Sequence, residues 1–203
     1  MVKNTKQRLM EAAIELFSTK GFAGTGVDEI AAHIGLKGPN LYKYYKGKDD
    51  LLAEIDKRAD EEYEKGMLAS LSIVEKVHTA KDLKKTTLQT VEFTLNNEMA
   101  KKMRRVYTIE QFRNEKFAES ATKHQLSNLI TVHERLFNRL MDEGVMINGD
   151  AELFAFEFVS PITMLIQLYD RDASQLEYVM DTLDKHIDVF IDRFFTEKHK
   201  KKK

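Results

Sequence analysis

The segment from residue 27 to residue 52, VDEIAAHIGLKGPNLYKYYKGKDDLL, constrains the fold more than any other stretch of the chain. It places a small residue, a glycine and an aliphatic residue at Ala31, Gly35 and Leu41. A small side chain lets two helices cross closely, and glycine readily adopts the left-handed backbone of a tight turn. The spacing therefore predicts a helix-turn-helix, in which Leu41 packs back onto the first helix.

The second helix of this motif presents a basic and polar surface. Asparagine can pair with adenine, and lysine can donate to guanine, in the major groove of DNA. Hydroxyl and ammonium groups can bind the phosphates on either side. The predicted base-contacting residues are Lys37, Asn40, Lys43 and Tyr44, and the predicted phosphate-contacting residues are Tyr42, Lys46 and Lys48.

The distribution of charge supports this prediction. A lysine cluster alone is often no more than a solvated helix face. Residues 1–48, however, contain eight Lys and Arg against four Asp and Glu, a net charge of +4. The rest of the chain carries 24 basic and 29 acidic residues, a net charge of −5. A basic end on an acidic body suits an anionic partner at that end.

The remainder of the sequence has helical periodicity. Asn4 or Thr5 can cap a first helix, which Gly21 ends, and Phe22 is predicted to pack back onto it. No segment alternates at period two, so no strand is predicted. A connecting helix is predicted from the stripe Leu51, Leu52, Ile55, Ala59 and Tyr63, and further helices over residues 83–97, 101–113, 116–143, 152–169 and 174–195.

The predicted fold is therefore all-α, with about nine helices. Residues 1–48 form a three-helix DNA-binding domain, and residues 49–203 form a helical body that begins with the connecting helix. The composition excludes several other classes. The chain has no cysteine, which excludes disulfides and suits a reducing cytoplasm. It also lacks a signal-peptide core and an apolar run of 18 residues, so no membrane span or membrane partner is predicted.

No enzyme chemistry is indicated by the sequence. There is no phosphate loop, since the glycines between residues 21 and 26 lack the GxGxxG spacing and follow no strand. The histidines His124, His133 and His186 lie on different faces or helices, without the spacing of metal ligands. We therefore predict no catalytic residues, no metal and no cofactor.

The stretch GFAGTGVDEIAAHIGLKGPNLYKYYKGKDDLL resembles the N-terminal signature of the TetR family of bacterial transcriptional regulators. The resemblance covers about residues 5–55. It implies phosphate contacts for Tyr42 and Lys48, and it adds Thr25 to the DNA-binding set. The residues that carry it are Gly21-Phe22, Thr25, Ile30-Ala31, Gly35-Leu36, Leu41-Tyr42, Tyr45, Lys46, Lys48 and Leu51.

Two positions depart from the family's pattern. Gly26 stands where relatives usually carry a Ser or Thr that caps the second helix and touches phosphate. Gly38-Pro39 replaces the commoner Lys-Gly, which removes a positive charge from the start of the recognition helix. Fewer DNA contacts are therefore expected at the two helix starts.

The resemblance also implies a homodimer and a small-molecule site in the helical body. The dimer is predicted through the last two helices, and Pro161 is expected to kink the first of them. Met and aromatic residues at helical spacing supply the pocket candidates, although such residues more often fill a core. The dimer stripe is Leu176, Val179, Leu183, Ile187, Phe190 and Phe194, and the ligand-binding candidates are Phe93, Met99, Met103, Tyr107, Phe112, Phe117 and Met164.

The predicted function is a cytoplasmic, ligand-responsive transcriptional regulator that binds palindromic double-stranded DNA as a homodimer. A repressor that a small hydrophobic effector releases from its operator fits the pattern best. One alternative is a regulator or activator that a protein partner controls. A more remote alternative is a helical enzyme or lipid carrier, for which the sequence offers no chemistry.

Overall fold

The computed structural model of the protein describes residues 4–58, residue 61 and residues 75–200. The described residues form helices joined by turns, with one isolated antiparallel bridge between Met146 and Phe195, and this confirms the predicted all-α fold. Its helices are α1 (Thr5–Lys20), α2 (Val27–His33), α3 (48–58), α4 (Ala80–Asn96), α5 (Glu98–Glu110), α6 (Glu115–Thr122), α7 (Asn128–Asp142), α8 (Ala151–Arg171), α9 (Leu176–Phe194) and α10 (Glu197–Lys200), with 3₁₀ segments at Gly38–Lys43 and Ala173–Gln175 and a π-helical turn at Lys123–Ser127.

Helix α1 begins and ends where the sequence predicts. The Asn4 side chain caps it by accepting a hydrogen bond from the Gln7 N–H at 2.9 Å. Gly21 ends it at a φ of 74°, a left-handed conformation that costs glycine little. Phe22 packs back onto Phe17, with the ring centroids 5.3 Å apart.

The helix-turn-helix bend is formed by the three predicted residues. Ala31 and Leu41 are completely buried, and Gly35 has a φ of 77°. The Leu36 N–H donates to the Ala31 carbonyl at 2.9 Å, across the glycine. This backward bond satisfies a carbonyl at the end of α2 and fixes the direction in which the chain leaves the turn.

The third helix of the motif is shorter and tighter than predicted. Gly38–Lys43 is a 3₁₀ segment, and the Asn40 N–H donates to the Lys37 carbonyl at 2.9 Å. Gly38 and Pro39 occupy its first positions, and they are the two residue types with the lowest helix propensity. Pro39 also contributes no N–H, so few bonds are available to extend the turn into an α-helix.

The N-terminal helices pack with α5 and α6 into one compact unit, the N-terminal unit, drawn from residues 1–65 and 98–121. Ser120 of α6 donates to Asp56 of α3 at 3.0 Å. The packing thus unites α5 and α6 with the helices of the predicted 1–48 domain, whose boundary stays a prediction. Ala59 and Tyr63 of the predicted connecting helix lie outside the described residues.

A second compact unit, the C-terminal unit, is drawn from residues 66–97 and 122–203. Its core centres on three phenylalanines of α7, α8 and α9. The Phe158 centroid lies 5.6 Å from that of Phe137 and 4.7 Å from that of Phe190. At the start of α4, Arg139 of α7 donates to the Val77 carbonyl at 2.7 Å, which joins two helices distant in sequence.

The apolar stripe of α9 lies inside this core, and the prediction that it faces another copy is wrong for most of its residues. Val179, Leu183 and Ile187 have no exposed surface, whereas Leu176 is 44% exposed. The stripe is covered because α9 packs on α8 and α4 of the same chain. A dimer through these helices would have to use their other faces.

Helix α8 remains one element from Ala151 to Arg171, although Pro161 lies inside it. By length and composition alone it is the one described helix that could cross a membrane, which the sequence analysis did not anticipate. Its residues Phe158, Ile162 and Leu165 belong to the C-terminal core. The core helix of a soluble protein passes the same test, so the apolar character of α8 is weak evidence for a membrane.

Candidate nucleic-acid interface

The 3₁₀ segment changes how the predicted base-contacting residues are presented. In a 3₁₀ helix, residues three apart lie one above the other, whereas in an α-helix they diverge around the axis. Asn40 and Lys43 therefore form a row, and Lys37 precedes them at the N-cap. Lys37 and Lys43 are exposed and Asn40 is half-buried, so all three side chains reach the surface.

Three tyrosines follow each other closely but have different environments. Tyr42 is 60% exposed and Tyr44 is 41% exposed, so both predicted DNA-contacting rings face solvent. Tyr45 is 3% exposed, and its hydroxyl donates to the Lys6 carbonyl at 3.0 Å. Burial raises the pKa of Tyr45 to about 12, so this hydroxyl remains a neutral donor that ties the motif to α1.

Lys48, a predicted phosphate contact, also makes hydrogen bonds within the protein. Its Nζ donates to the Phe22 carbonyl at 2.6 Å and to the Thr25 carbonyl at 2.9 Å. The same ammonium lies 4.3 Å from the Phe22 ring centroid. Two of its three N–H groups thus hold the loop between α1 and α2, and one is left to reach a phosphate. Lys46, by contrast, has an exposed side chain.

Thr25 is not presented to DNA. Its side chain is 1% exposed, and its hydroxyl donates to the Gly21 carbonyl at 2.8 Å. This buried side chain does not reach the surface, so it does not support the DNA contact that the resemblance implied for Thr25. The hydroxyl instead closes the loop, because the carbonyl of a glycine at the end of α1 has no helical partner.

The two departures from the family's pattern are both visible in the structure. Gly26 is the N-cap of α2 and makes no side-chain cap. Gly38 lies against Asp28, and a Cβ at Gly38 would come within 1.7 Å of the Asp28 carboxylate. A side chain at this position would force Asp28 to move, which gives a steric reason for glycine at the start of the recognition segment.

Arg8 and Lys20 of the N-terminal unit make hydrogen bonds and ion pairs with other residues of the same unit. Arg8 donates to the Ile34 carbonyl at 3.1 Å and so supports the end of α2. Lys20 pairs with Glu29, and this hydrogen bond is the main reason that the pKa of Glu29 is lowered. These two cations therefore stabilise the fold near the bend.

The predicted ligand-binding residues are divided between the two compact units. Met103, Tyr107 and Phe117 are buried in the core of the N-terminal unit, where the rings of Tyr107 and Phe117 lie 5.9 Å apart. Phe93 and Met164 belong to the C-terminal unit. The exposed members of the set are Phe93 at 70%, Met99 at 44%, Phe112 at 90% and Met164 at 64%.

One open cleft of about 480 Å³ involves a member of this set. Met99 lines it at the start of α5, together with residues of α1 and α2. The rest of the lining is largely charged, and Lys102 and Glu15 pair across it. The other lining residues are Arg8, Glu11, Ala12, His33, Ile34 and Glu98.

No group of three or more potential metal ligands is found among the described residues. His133 packs between Phe137 and Phe158, and its Nδ1 lies 2.8 Å from the Leu129 carbonyl. His186 is similarly paired with the Phe158 carbonyl at 2.9 Å. Both are partly buried and pack against rings of the C-terminal core, and the side chain of His124 lies outside the described part of the chain.

The sequence patterns did not single out one residue of this unit that contacts the loop between α1 and α2. Glu110, at the end of α5, is 3% exposed and accepts a hydrogen bond from the Phe22 N–H at 2.8 Å. The only signal was an acid in the last turn of a helix, where the helix dipole disfavours negative charge. Such a signal is weak, because it does not say which distant N–H the acid will meet.

Comparisons with known proteins agree with the geometry of the bend. Residues 9–55 match the family model described as bacterial regulatory proteins, tetR family. YttP of Bacillus subtilis strain 168, named as a probable HTH-type transcriptional regulator, is 24% identical over 71% of this chain and 66% of its own length. AcrR of Shigella flexneri, an HTH-type transcriptional regulator, is 36% identical over 26% of this chain and 25% of its own length.

Among solved structures, SmeT of Stenotrophomonas maltophilia, described as the repressor of the multidrug efflux pump SmeDEF, has the same fold. Its TM-score is 0.67 at 18% identity, over 96% of this chain and 92% of that one. Its complex with triclosan superposes with a TM-score of 0.70. The family model matches the helix-turn-helix region, and the likeness of fold to SmeT extends over nearly the whole chain. The resemblance read from the sequence is confirmed: this chain carries, over residues 9–55, the N-terminal domain of the TetR family of bacterial regulatory proteins.

Proposed function

We propose that this protein is a cytoplasmic, sequence-specific DNA-binding transcriptional repressor that acts as a homodimer. The observation that carries the proposal is the row of Asn40 and Lys43, with Lys37 before it and the exposed Tyr42 and Tyr44 beside it. These side chains offer amide, ammonium and hydroxyl donors on one short rigid segment. That chemistry fits the base edges and phosphates of a major groove.

Selection of duplexes from a random pool, followed by fluorescence anisotropy over a range of salt, tests this function. The wild-type chain should enrich a palindrome, because a two-fold dimer presents its segment twice. Asn40→Ala should weaken the enriched site while leaving binding to unrelated duplexes unchanged, since Asn40 is assigned to a base edge. Enrichment of no duplex by the wild-type chain would refute the proposal.

The exposed faces of α8 and α9 support the homodimer. Leu153, Phe156 and Met164 recur along α8 at intervals of three and eight residues, which places them on one side of the helix, and they are 51%, 53% and 64% exposed. Tyr178 and Val189 are separated by three turns of α9 and are 57% and 64% exposed. Exposed apolar rows of this length are uncommon on a monomer and are typical of an interface.

Sedimentation of the full chain tests the dimer. Met164→Lys should shift it towards monomer, because burying an unpaired ammonium in an apolar interface is costly. The matched control is Leu126→Lys, which changes another exposed aliphatic residue of the C-terminal unit. Equal sedimentation of the two variants would remove these faces from the interface.

The effector part of the proposal is supported by the SmeT–triclosan complex, which shows that one protein with this fold binds a small hydrophobic molecule. We infer that such a ligand would bind a state whose two recognition segments are misspaced for DNA. It could then weaken DNA binding only by its preference for that state over the DNA-bound one.

Thermal-shift screening with and without the enriched duplex separates the alternatives, because opposed effects of ligand and DNA are expected of a repressor. Control by a protein partner predicts no such ligand.

A further inference from the structure

Both backbone polar groups of Phe22 are held by side chains from distant parts of the N-terminal unit. The Phe22 N–H donates to Glu110 of α5 at 2.8 Å, and the Phe22 carbonyl accepts from Lys48 of α3 at 2.6 Å. Backbone groups removed from water need such partners, so the two side chains determine where the loop between α1 and α2 lies. Glu110 is 88 residues from Phe22 in sequence, and the loop is therefore fixed by tertiary structure.

The loop has little room to move away from α5. A Cβ at Gly21 would come within 2.9 Å of the Glu110 Oε1 and within 3.3 Å of a methyl carbon of Ile109. Gly21 also has a φ of 74°, so its neighbours and its conformation both require glycine. The carboxylate of Glu110 therefore sits directly on the backbone that leads into α2.

Lys48 connects this loop to the DNA-reading surface. Its position depends on the carbonyls of Phe22 and Thr25, which belong to the loop that Glu110 holds. If the Glu110 contact is lost, the loop can shift, and the remaining N–H of Lys48 loses its direction. The start of α2 shifts with it, because Gly26 has no side chain to cap that helix independently.

We propose that Glu110 is a positioning residue for DNA binding: its carboxylate holds the Phe22 N–H and thereby sets Lys48 and the start of α2 in the geometry that DNA requires. Glu110 itself is buried and touches no nucleic acid. This inference rests on the proposed DNA-binding function, and it assigns part of the affinity to a residue of α5, outside the helix-turn-helix.

Three substitutions of Glu110 in the full-length chain separate the hydrogen bond from the charge. Glu110→Gln keeps an oxygen acceptor and removes the charge. Glu110→Asp keeps the charge but is one methylene too short to reach the Phe22 N–H. Glu110→Ala removes both, and Glu119→Ala is the matched control, since it removes the same charge from an exposed position on α6.

Affinity for the enriched duplex should fall about tenfold in Glu110→Asp and Glu110→Ala, because the hydrogen bond from the Phe22 N–H is lost and that donor is left without its acceptor. It should stay within about twofold of wild type in Glu110→Gln and Glu119→Ala. Hydrogen exchange of the Phe22 amide without DNA should speed up in the same two variants that lose affinity. If Glu110→Ala does not fold, the comparison of Glu110→Asp with Glu110→Gln carries the test.

The outcomes separate this inference from the function on which it rests. Wild-type affinity in Glu110→Asp, or equal losses in Glu110→Asp and Glu110→Gln, would overturn the positioning role while the DNA-binding function stands. A wild-type chain that enriches no duplex would overturn both. In that case, a slowly exchanging Phe22 amide would still show that the Glu110 contact exists.

Discussion

Both compact units have an apolar core, but they differ in the contacts at their centres. In the N-terminal unit, polar side chains hold backbone groups at defined points, as Glu110 and Lys48 do at Phe22. In the C-terminal unit, the centre is an aromatic cluster whose rings lie 4.7 to 5.6 Å apart at Phe137, Phe158 and Phe190. The first arrangement fixes particular groups in position, whereas the second mainly excludes water.

The difference shows where function can be read from local pattern. A backbone turn with a glycine, a cap and exposed donors leaves a recognisable spacing in sequence. An aromatic core leaves only helical periodicity, which does not distinguish filler from a ligand site. The local pattern therefore predicts a DNA-contacting segment whose side chains reach the surface, whereas the seven ligand candidates are divided between the core of the N-terminal unit and exposed positions.

The largest expected effect is in the aromatic cluster. Phe137→Ala should lower the free energy of unfolding by about 3–5 kcal/mol, because it removes a completely buried ring and leaves a cavity. Chemical denaturation measures the change. Phe93→Ala, at a position 70% exposed, should cost less than about 0.5 kcal/mol. Similar losses in both would mean that the cluster is not the centre of the unit.

The next largest effect concerns Lys46 and Lys48, the two lysines that are predicted to contact phosphate. Lys48→Met should weaken binding to every duplex by more than about tenfold, since it removes the predicted phosphate contact and the hydrogen bonds to the loop carbonyls. Lys46→Met removes only an exposed ammonium and should weaken binding less. Anisotropy titrations in increasing salt should show the slope fall by about one unit in each variant. A larger loss for Lys46→Met would reverse their assigned roles.

A smaller effect is expected at the bend. Gly35→Ala should destabilise the N-terminal unit by about 1–2 kcal/mol, because alanine is strained at a φ of 77°. Gly47→Ala is a close control, since neither glycine has an atom within 4 Å of an added Cβ and only Gly35 has a positive φ. Thermal unfolding should separate them, and equal midpoints would argue against the left-handed turn.

The smallest effect is a pH dependence in the C-terminal core. Burial lowers the pKa of His133 below its ordinary value of 6.5, so the folded state favours the neutral ring. The stability that depends on the neutral form is complete above that value and is lost as pH falls below it. Denaturation between pH 7 and pH 5 should show a steeper loss for wild type than for His133→Leu. Parallel curves would contradict this role.

Much of the fold was predictable because it depends on local rules. The Asn4 cap, the ends of α1 and the Ala31–Gly35–Leu41 bend follow from residue type and spacing. The α9 stripe was recognised as apolar, but its partner was misassigned, since periodicity shows that a face is buried and not what covers it. The 3₁₀ form of Gly38–Lys43 was also missed, although Gly38 and Pro39 already disfavoured a regular helix.

Residue types and spacings were enough to predict a helical chain, a bend at Gly35 and a candidate DNA-contacting segment with Lys37, Asn40, Tyr42, Lys43 and Tyr44. These features depend on neighbours a few residues away, whose geometry the backbone fixes. The packing of the helices establishes three further features. Thr25 is buried, Lys48 donates two hydrogen bonds to carbonyls of the loop between α1 and α2, and Glu110 of α5 accepts a hydrogen bond from the Phe22 N–H. Those contacts join positions far apart in the chain, and their partners are settled only when the helices pack.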